Sequence, residues 1–329
     1  MSRPSLRRAT LLALALSAAL GCSRAKGPDA PLRLGYFPNI THAQALVGVD
    51  DGTFARALPV KLETRMFNAG PAAMEALLAG DLDASYVGPG PAAIAFLRTH
   101  GQALRVVAGA ASGGAALVVK DARAPKDLAG KRVASPQLGN TQDVALRMWL
   151  RQEGLHDARG QGPVEVTPLA NPDILALFAR GDLAGAWVPE PWAARLVAEA
   201  GGRILVDERS LWPEGRFPTT VLVVSARALE RRRADVIALV RAHLELTRRW
   251  QADRAAFARL ANAAYGKRTG KALPDAVLFD AFSRVEPVSD PLPRQLERMA
   301  RDAQELGFAP KGDPSGIVDA TMLQELAHR

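Results

Sequence analysis

Gly80-Asp81-Leu82-Asp83-Ala84-Ser85-Tyr86-Val87 returns later in the chain as Gly181-Asp182-Leu183-Ala184-Gly185-Ala186-Trp187-Val188. Each copy follows an apolar helical stretch, Met74 to Ala79 in one case and Ile174 to Ala179 in the other. Each runs into a proline-bearing turn and a new helix start, Gly88-Pro89-Gly90-Pro91-Ala92-Ala93 and Pro189-Glu190-Pro191-Trp192-Ala193-Ala194. Upstream, Asn39-Ile40-Thr41 follows the first strand much as Asn140-Thr141 follows Lys131 to Ser135, and Asn68-Ala69-Gly70-Pro71 has its counterpart in Asn171-Pro172. Two Ala- and Leu-rich helices can match by chance. The joint recurrence of Gly-Asp-Leu, an aromatic-Val strand end and a following proline argues for duplication instead.

The pattern around the repeat alternates strand and helix. Leu32 to Tyr36, Val60 to Met66, Ala84 to Val87 and Leu104 to Val107 read as strands, with helical patterns near 43–50, 71–79 and 91–99 between them. That order predicts a mainly parallel sheet with helices on its faces. Two such α/β units fall at about 31–112 and 117–217. The runs Ala115 to Lys120 and Thr220 to Val224 bracket the second unit as crossover strands, and the chain from about Ala226 is nearly all helical. Ala234 to Trp250 and Leu292 to Leu306 carry apolar residues at helical spacing. The expected organisation is a first lobe of residues 31–114 plus 220–329 and a second of residues 115–219. A length of 329 residues suits two such bodies.

Composition is that of a globular chain, 48% hydrophobic and 23% charged. Aromatics are 5% and do not interleave with basic clusters, which leaves nucleic-acid binding without support. Arg3, Arg7 and Arg8 precede an apolar run from Leu11 to Leu20 that is too short to span a bilayer but suits a secretory leader. Residues 1–21 are therefore expected to be a signal peptide. Ala19-Leu20-Gly21-Cys22 resembles a bacterial lipobox, with Cys22 as the lipidated residue and residues 22–30 as a tether. The alternative is an ordinary cleaved leader with an incidental cysteine. Losing those three arginines lowers the formal charge from +8 to +5, a mild bias toward an anionic partner. Export permits disulfides, yet Cys22 is the only cysteine, so both lobes must stand on their cores.

Ligands of open parallel sheets sit beyond the carboxyl ends of the strands, where helix N-termini offer backbone N–H groups to anions. The candidate contacts are Asn39, Thr41, His42, Phe67, Asn68, Gly88 and Gly90 in the first lobe, and Gly139, Asn140, Thr141, Gln142, Trp187 and Glu190 in the second. Thr41 and Thr141 are equally suited to capping their helices. Gly88, Gly90 and Gly139 allow close backbone approach or simply make tight turns. Five scattered histidines (His42, His100, His156, His243, His328) lack metal-ligand spacing, and no Gly-x-Ser-x-Gly elbow or Walker sequence occurs. Gly88 to Ala93 matches a loose dinucleotide fingerprint, but its prolines and the missing acid near Val107 argue against that reading. Neither catalysis, a metal nor a cofactor is expected.

At these residues the chain resembles the SsuA-like branch of ABC-transporter solute-binding proteins, which includes aliphatic sulfonate, taurine and nitrate binders and shares a superfamily with thiamine-pyrimidine synthases. The resemblance rests on Leu34-Gly35-Tyr36, Phe67 to Pro71, Gly80 to Asp83 with Gly88, Leu128 to Val133, Gly139 to Gln142 and Ala186 to Pro191. It implies an α/β fold of the type II periplasmic-binding-protein kind, with two parallel-rich lobes joined by two crossover strands and the helical C-terminal part packed on lobe one. Together with the lipobox, the expectation is a membrane-anchored lipoprotein at the periplasm or cell surface, acting as a monomer. Such a protein would capture a small organic anion and deliver it to an ABC permease. By the same resemblance Gly139 to Gln142 hold the acid group, although this loop departs from the serine-rich form of sulfonate binders. Glu190 either pairs with an amino group such as taurine offers or caps the next helix. Thiamine-pyrimidine binding or synthesis and a ligand-sensing adaptor role are the alternatives.

Overall fold

The computed structural model describes residues 30–156 and 161–327. Residues 1–21, expected to be a signal peptide, and Cys22 lie outside them. The described chain builds two sheets. The first holds β1 (Leu32–Tyr36), β2 (Leu62–Met66), β3 (Ala84–Val87), β4 (Leu104–Gly113), β10 (Pro218–Ser225) and β11 (Val285–Pro287), in the order β11-β4-β10-β3-β1-β2. The second holds β5 (Ala115–Val119), β6 (Arg132–Pro136), β7 (Glu165–Leu169), β8 (Gly185–Pro189) and β9 (Arg203–Asp207), in the order β7-β6-β8-β5-β9.

The duplication is visible as topology. In both sheets the first strand of the repeat pairs in parallel with the second on one side and the third on the other. In both, one antiparallel strand then separates the third strand from the fourth: β10 between β3 and β4, and β5 between β8 and β9. These two inserted strands are the crossover runs, and they set antiparallel pairing inside an otherwise parallel pattern, so both sheets are mixed. The reason is directional, since each crossover enters its sheet from the end where the other sheet lies. β10 pairs in the first sheet from Pro218, two residues before the expected return at 220.

Helices cover both faces of each sheet, so every residue of β3 and β8 is buried. On the first sheet α1 (Ala43–Asp50), α2 (Thr53–Ala57), α9 (Arg233–Ala252), α10 (Arg254–Thr269) and α11 (Asp275–Ser283) share one core, joined by Met322 of α13 (Thr321–Ala327). α3 (Gly70–Leu78), α4 (Pro89–Arg98) and α12 (Pro293–Glu305) share the opposite one. α8 (Ala226–Arg231) leads from β10 into α9. On the second sheet α6 (Asn171–Arg180) and α7 (Trp192–Ala200) pack on one face and α5 (Thr141–Gln152) on the other. Side chains such as Trp250, Phe54 and Phe178 are fully buried, each contributing about 1.5–3 kcal/mol through removal from water. No helix among the described residues is long and apolar enough to cross a membrane.

The 2-1-3 arrangement decides where a site can form. The connections after the first and third strands leave on opposite faces of the sheet, and the divergence opens a crevice at their carboxyl ends. In the first sheet those connections are the segment 37–42 and the start of α4. In the second they are the segment 137–140 and the segment 190–191.

Candidate functional site

The two crevices face each other and their loops interlock. Gly88 caps α4 without a side chain to offer, so the first N–H groups of that helix need outside acceptors. Thr141 supplies one from the second sheet's side: its Oγ1 accepts from the Gly90 N–H at 3.1 Å. A Cβ at Gly88 would stand 2.3 Å from Thr141 Oγ1, and one at Gly90 would stand 3.0 Å from Thr141 Cα. Glycine is needed here because the opposing loop arrives at backbone distance. Thr141 thus caps the facing helix, while α5 is capped by Asn140, whose Oδ1 accepts from Thr141 N–H at 2.9 Å. Gly139 turns the loop with φ +72°, a region that favours glycine.

Asp143 fixes this loop from beneath. It is fully buried, accepting from the Gly139 N–H at 2.9 Å, the Ser135 hydroxyl at 2.6 Å and Arg147 Nε at 3.1 Å. Across the interface, Trp192 Nε1 donates to Asn39 Oδ1 at 3.0 Å. Thr41 and His42 are buried next to Asn39. His42 stacks on Phe37 with ring centroids 4.4 Å apart, and its Nδ1 accepts from the Phe37 N–H at 3.3 Å. Burial holds the His42 imidazole down to about 3, so it is neutral at physiological pH.

Glu190 answers a question the sequence leaves open. It is fully buried, and its Oε2 accepts from the Ala194 N–H at 3.1 Å, so it does cap α7. Its Oε1 accepts from Arg284 Nε at 2.6 Å. Arg284 in turn donates to both oxygens of Asp280, at 2.8 and 2.5 Å. Burial raises the Glu190 carboxyl above its usual range, and the Arg284 charge only partly offsets this. The Glu190 N–H also donates to the Gly114 carbonyl at the crossover, at 2.9 Å.

Asn39, Thr41, His42, Gly88, Gly90, Asn140, Thr141 and Glu190 therefore gather at the meeting of the loops, with Gly139 and Gln142 flanking Asn140 and Thr141. Phe67 and Asn68 stand to one side, on a cavity of about 610 Å³ between the ends of β2, β6 and β7. Trp187 goes elsewhere. Its ring is fully buried in the core beneath α5, 5.9 Å from the Trp149 ring, and its Nε1 donates to Glu208 Oε2 at 2.7 Å. Arg284, Trp192 and Asp143 are site residues beyond those expected. No cluster of three or more His, Cys, Asp or Glu side chains suited to a metal occurs among the described residues.

Residues 25–264 match the model of the NMT1-like family. Over 182 residues the chain is 32% identical to the taurine-binding periplasmic protein of Escherichia coli (strain K12), covering 55% of this chain and 54% of that protein. A putative binding protein of Brucella abortus is 27% identical over 219 residues, 66% of each chain. The chain thus spans about half to two thirds of the length of the curated relatives it matches. Among solved structures, the alkanesulfonate-binding protein SsuA from Xanthomonas axonopodis pv. citri, bound to MOPS, superposes with a TM-score of 0.73 at 21% identity, covering 88% of this chain and 98% of that one. The periplasmic nitrate-binding protein NrtA from Synechocystis PCC 6803 gives 0.76 at 14% identity, covering 91% and 88%. A mutant of DSZB in complex with biphenyl-2-sulfinic acid gives 0.63 at 19% identity, covering 91% and 99%.

Proposed function

The chain belongs to the NMT1-like family, and from that premise we propose that it is the extracytoplasmic solute-binding component of an ABC importer. Its fold is that of the type II periplasmic binding proteins. In this reading lobe one comprises residues 31–114 plus 220–329 and lobe two residues 115–219, and they close on a small organic anion for delivery to a permease. The observation that carries the reading is the interlocking of equivalent loops from two sheets of equal topology, with Thr141 of one capping α4 of the other. Closure of this kind buries a solute between the lobes, where helix starts offer backbone N–H groups. The protein acts as a monomer, held at the membrane through a lipid on Cys22.

The taurine- and alkanesulfonate-binding relatives favour an organic sulfonate over other anions. We read the chain as a binder and not an enzyme, and the likeness to DSZB extends to the fold alone. The single cysteine is Cys22, which is not part of any interlocked loop, so the residues of those loops include no thiol nucleophile. His42 is buried, neutral and already engaged by Phe37.

Thermal shift with sulfonates, taurine, nitrate, bicarbonate and thiamine-type pyrimidines tests the reading. A ligand at a hundred times its Kd stabilises the folded state by about 2.7 kcal/mol. No shift from any of them at millimolar concentration would refute it.

A further inference from the structure

Beside the interlocked loops, the cavity of about 610 Å³ is walled by one lobe through Arg65, Phe67 and Asn68 and by the other through Gln137, Leu169 and Asn171. Among the described residues, Arg65 is the only charged one on its lining. The guanidinium lies 5.0 Å from the Phe67 ring centroid and pairs with no carboxylate among the described residues. Two helices begin on the cavity from opposite sides, α3 after Ala69 and α6 after Ala170, and neither has a side-chain cap at its N-terminus. These are the repeat-related starts at Asn68 and Asn171. Both present positive dipole ends to the same space.

A separate observation points to an occupant. Asn171 is 7% exposed, and its Oδ1 has no hydrogen-bond partner. A buried acceptor left unpaired costs free energy, so it calls for a donor from whatever fills the cavity. Meanwhile the one acid of the interlocked loops is unavailable to a ligand. Both Glu190 oxygens are taken, one by Arg284 and one by Ala194.

Resting on the solute-binding reading above, we propose that this cavity receives the solute. Arg65 and the two helix N-termini would hold the anionic end, and Asn171 would accept from an uncharged donor such as a hydroxyl. The chain then selects anions with a neutral body over zwitterions carrying an ammonium group. No carboxylate among the described residues lines the cavity to compensate a buried ammonium, and the cationic Arg65 repels it.

Isethionate, 1-propanesulfonate and taurine differ only in a terminal hydroxyl, methyl or ammonium group, and titration calorimetry of the purified protein with each makes the test. Isethionate should bind at least tenfold tighter than taurine, with propanesulfonate between them. Arg65→Gln, at an exposed position, should weaken isethionate and propanesulfonate at least fivefold. Asn171→Leu should erase the advantage of isethionate over propanesulfonate. Taurine binding as tightly as isethionate, or an Arg65→Gln protein with unchanged isethionate affinity, would overturn the proposal. If all three sulfonates are silent while nitrate or bicarbonate binds, this inference falls and the solute-binding reading stands; if no anion binds, both fall.

Discussion

Replacing Arg284 by Met probes the buried ion pair between the lobes. Glu190 is fully buried, and without Arg284 it keeps only the Ala194 N–H at 3.1 Å. Removing one partner of a buried ion pair typically costs about 3–5 kcal/mol, because the other charge is left uncompensated in a poorly polarisable surrounding. The Arg284–Asp280 contact adds little to that figure, since Asp280 is 45% exposed and half-solvated pairs contribute about 0–1 kcal/mol. Burial already raises the Glu190 carboxyl, and the substitution raises it further. A carboxyl raised in the folded state lends stability below its unfolded value and loses it as pH climbs through the folded one. Arg284→Met should therefore lose about 3–5 kcal/mol at pH 8 and distinctly less near pH 4.5. In the Glu190→Gln/Arg284→Met double variant the amide oxygen still accepts from Ala194, and no charge is stranded. Its stability should return to within about 1 kcal/mol of the parent. Urea unfolding of the parent, Arg284→Met, Glu190→Gln and the double variant at both pH values measures the cycle. A single-variant cost below about 1 kcal/mol at pH 8, or a double variant no better than the single, would refute the reasoning. Either result would mean that Glu190 is solvated in solution and that the lobes are not closed on it.

Glu208 tests burial in the same currency. Its carboxyl is raised to about 7 by burial, with Trp187 Nε1 only partly offsetting this, so it favours folding below about 4.5 and loses that contribution as pH rises to about 7. Glu208→Gln should leave stability near pH 4.5 almost unchanged and gain about 3 kcal/mol at pH 8, read from paired urea curves. Thr141→Val removes the acceptor of the Gly90 N–H and should cost about 1 kcal/mol, with weaker solute binding by calorimetry. Gly90→Ala places a methyl 3.0 Å from Thr141 Cα, so it should hinder closure. Its radius of gyration by small-angle scattering with solute should stay at the value without it. Cys22→Ser should move the protein from the membrane to the soluble fraction on cell fractionation, and retention on the membrane would exclude the lipid anchor.

The architecture was legible because the duplication repeats chemistry as well as hydropathy. Gly80 to Val87 and Gly181 to Val188 each mark a third strand, and the 2-1-3 arrangement then places Asn39, Gly88, Asn140 and Glu190 at one meeting point. The antiparallel insertion of β5 and β10 was hidden, because pairing direction leaves no trace in a run of valines and alanines. Trp187 was misleading for a related reason. In β8 both faces are covered by helices, so alternation does not tell the side facing α6 and α7 from the side facing α5. Arg284 was out of reach, since it stands 94 residues from Glu190, in the turn between α11 and β11. Asn171 was signalled only by its equivalence to Asn68, and its orphaned oxygen needed coordinates to be seen.

The exchange of strands between the two sheets also orders events on the ribosome or after passage through a membrane. The second sheet is built from one unbroken stretch, β5 to β9, and needs nothing from later in the chain. The first sheet becomes continuous only when residues 218–225 arrive to fill the place between β3 and β4, and it gains its edge strand β11 later still. Until then those two strands present open backbone edges, the surfaces most prone to pairing with a neighbouring chain. The inserted half of the molecule can thus mature before the half that surrounds it, and the vulnerable interval belongs to the lobe that was synthesised first.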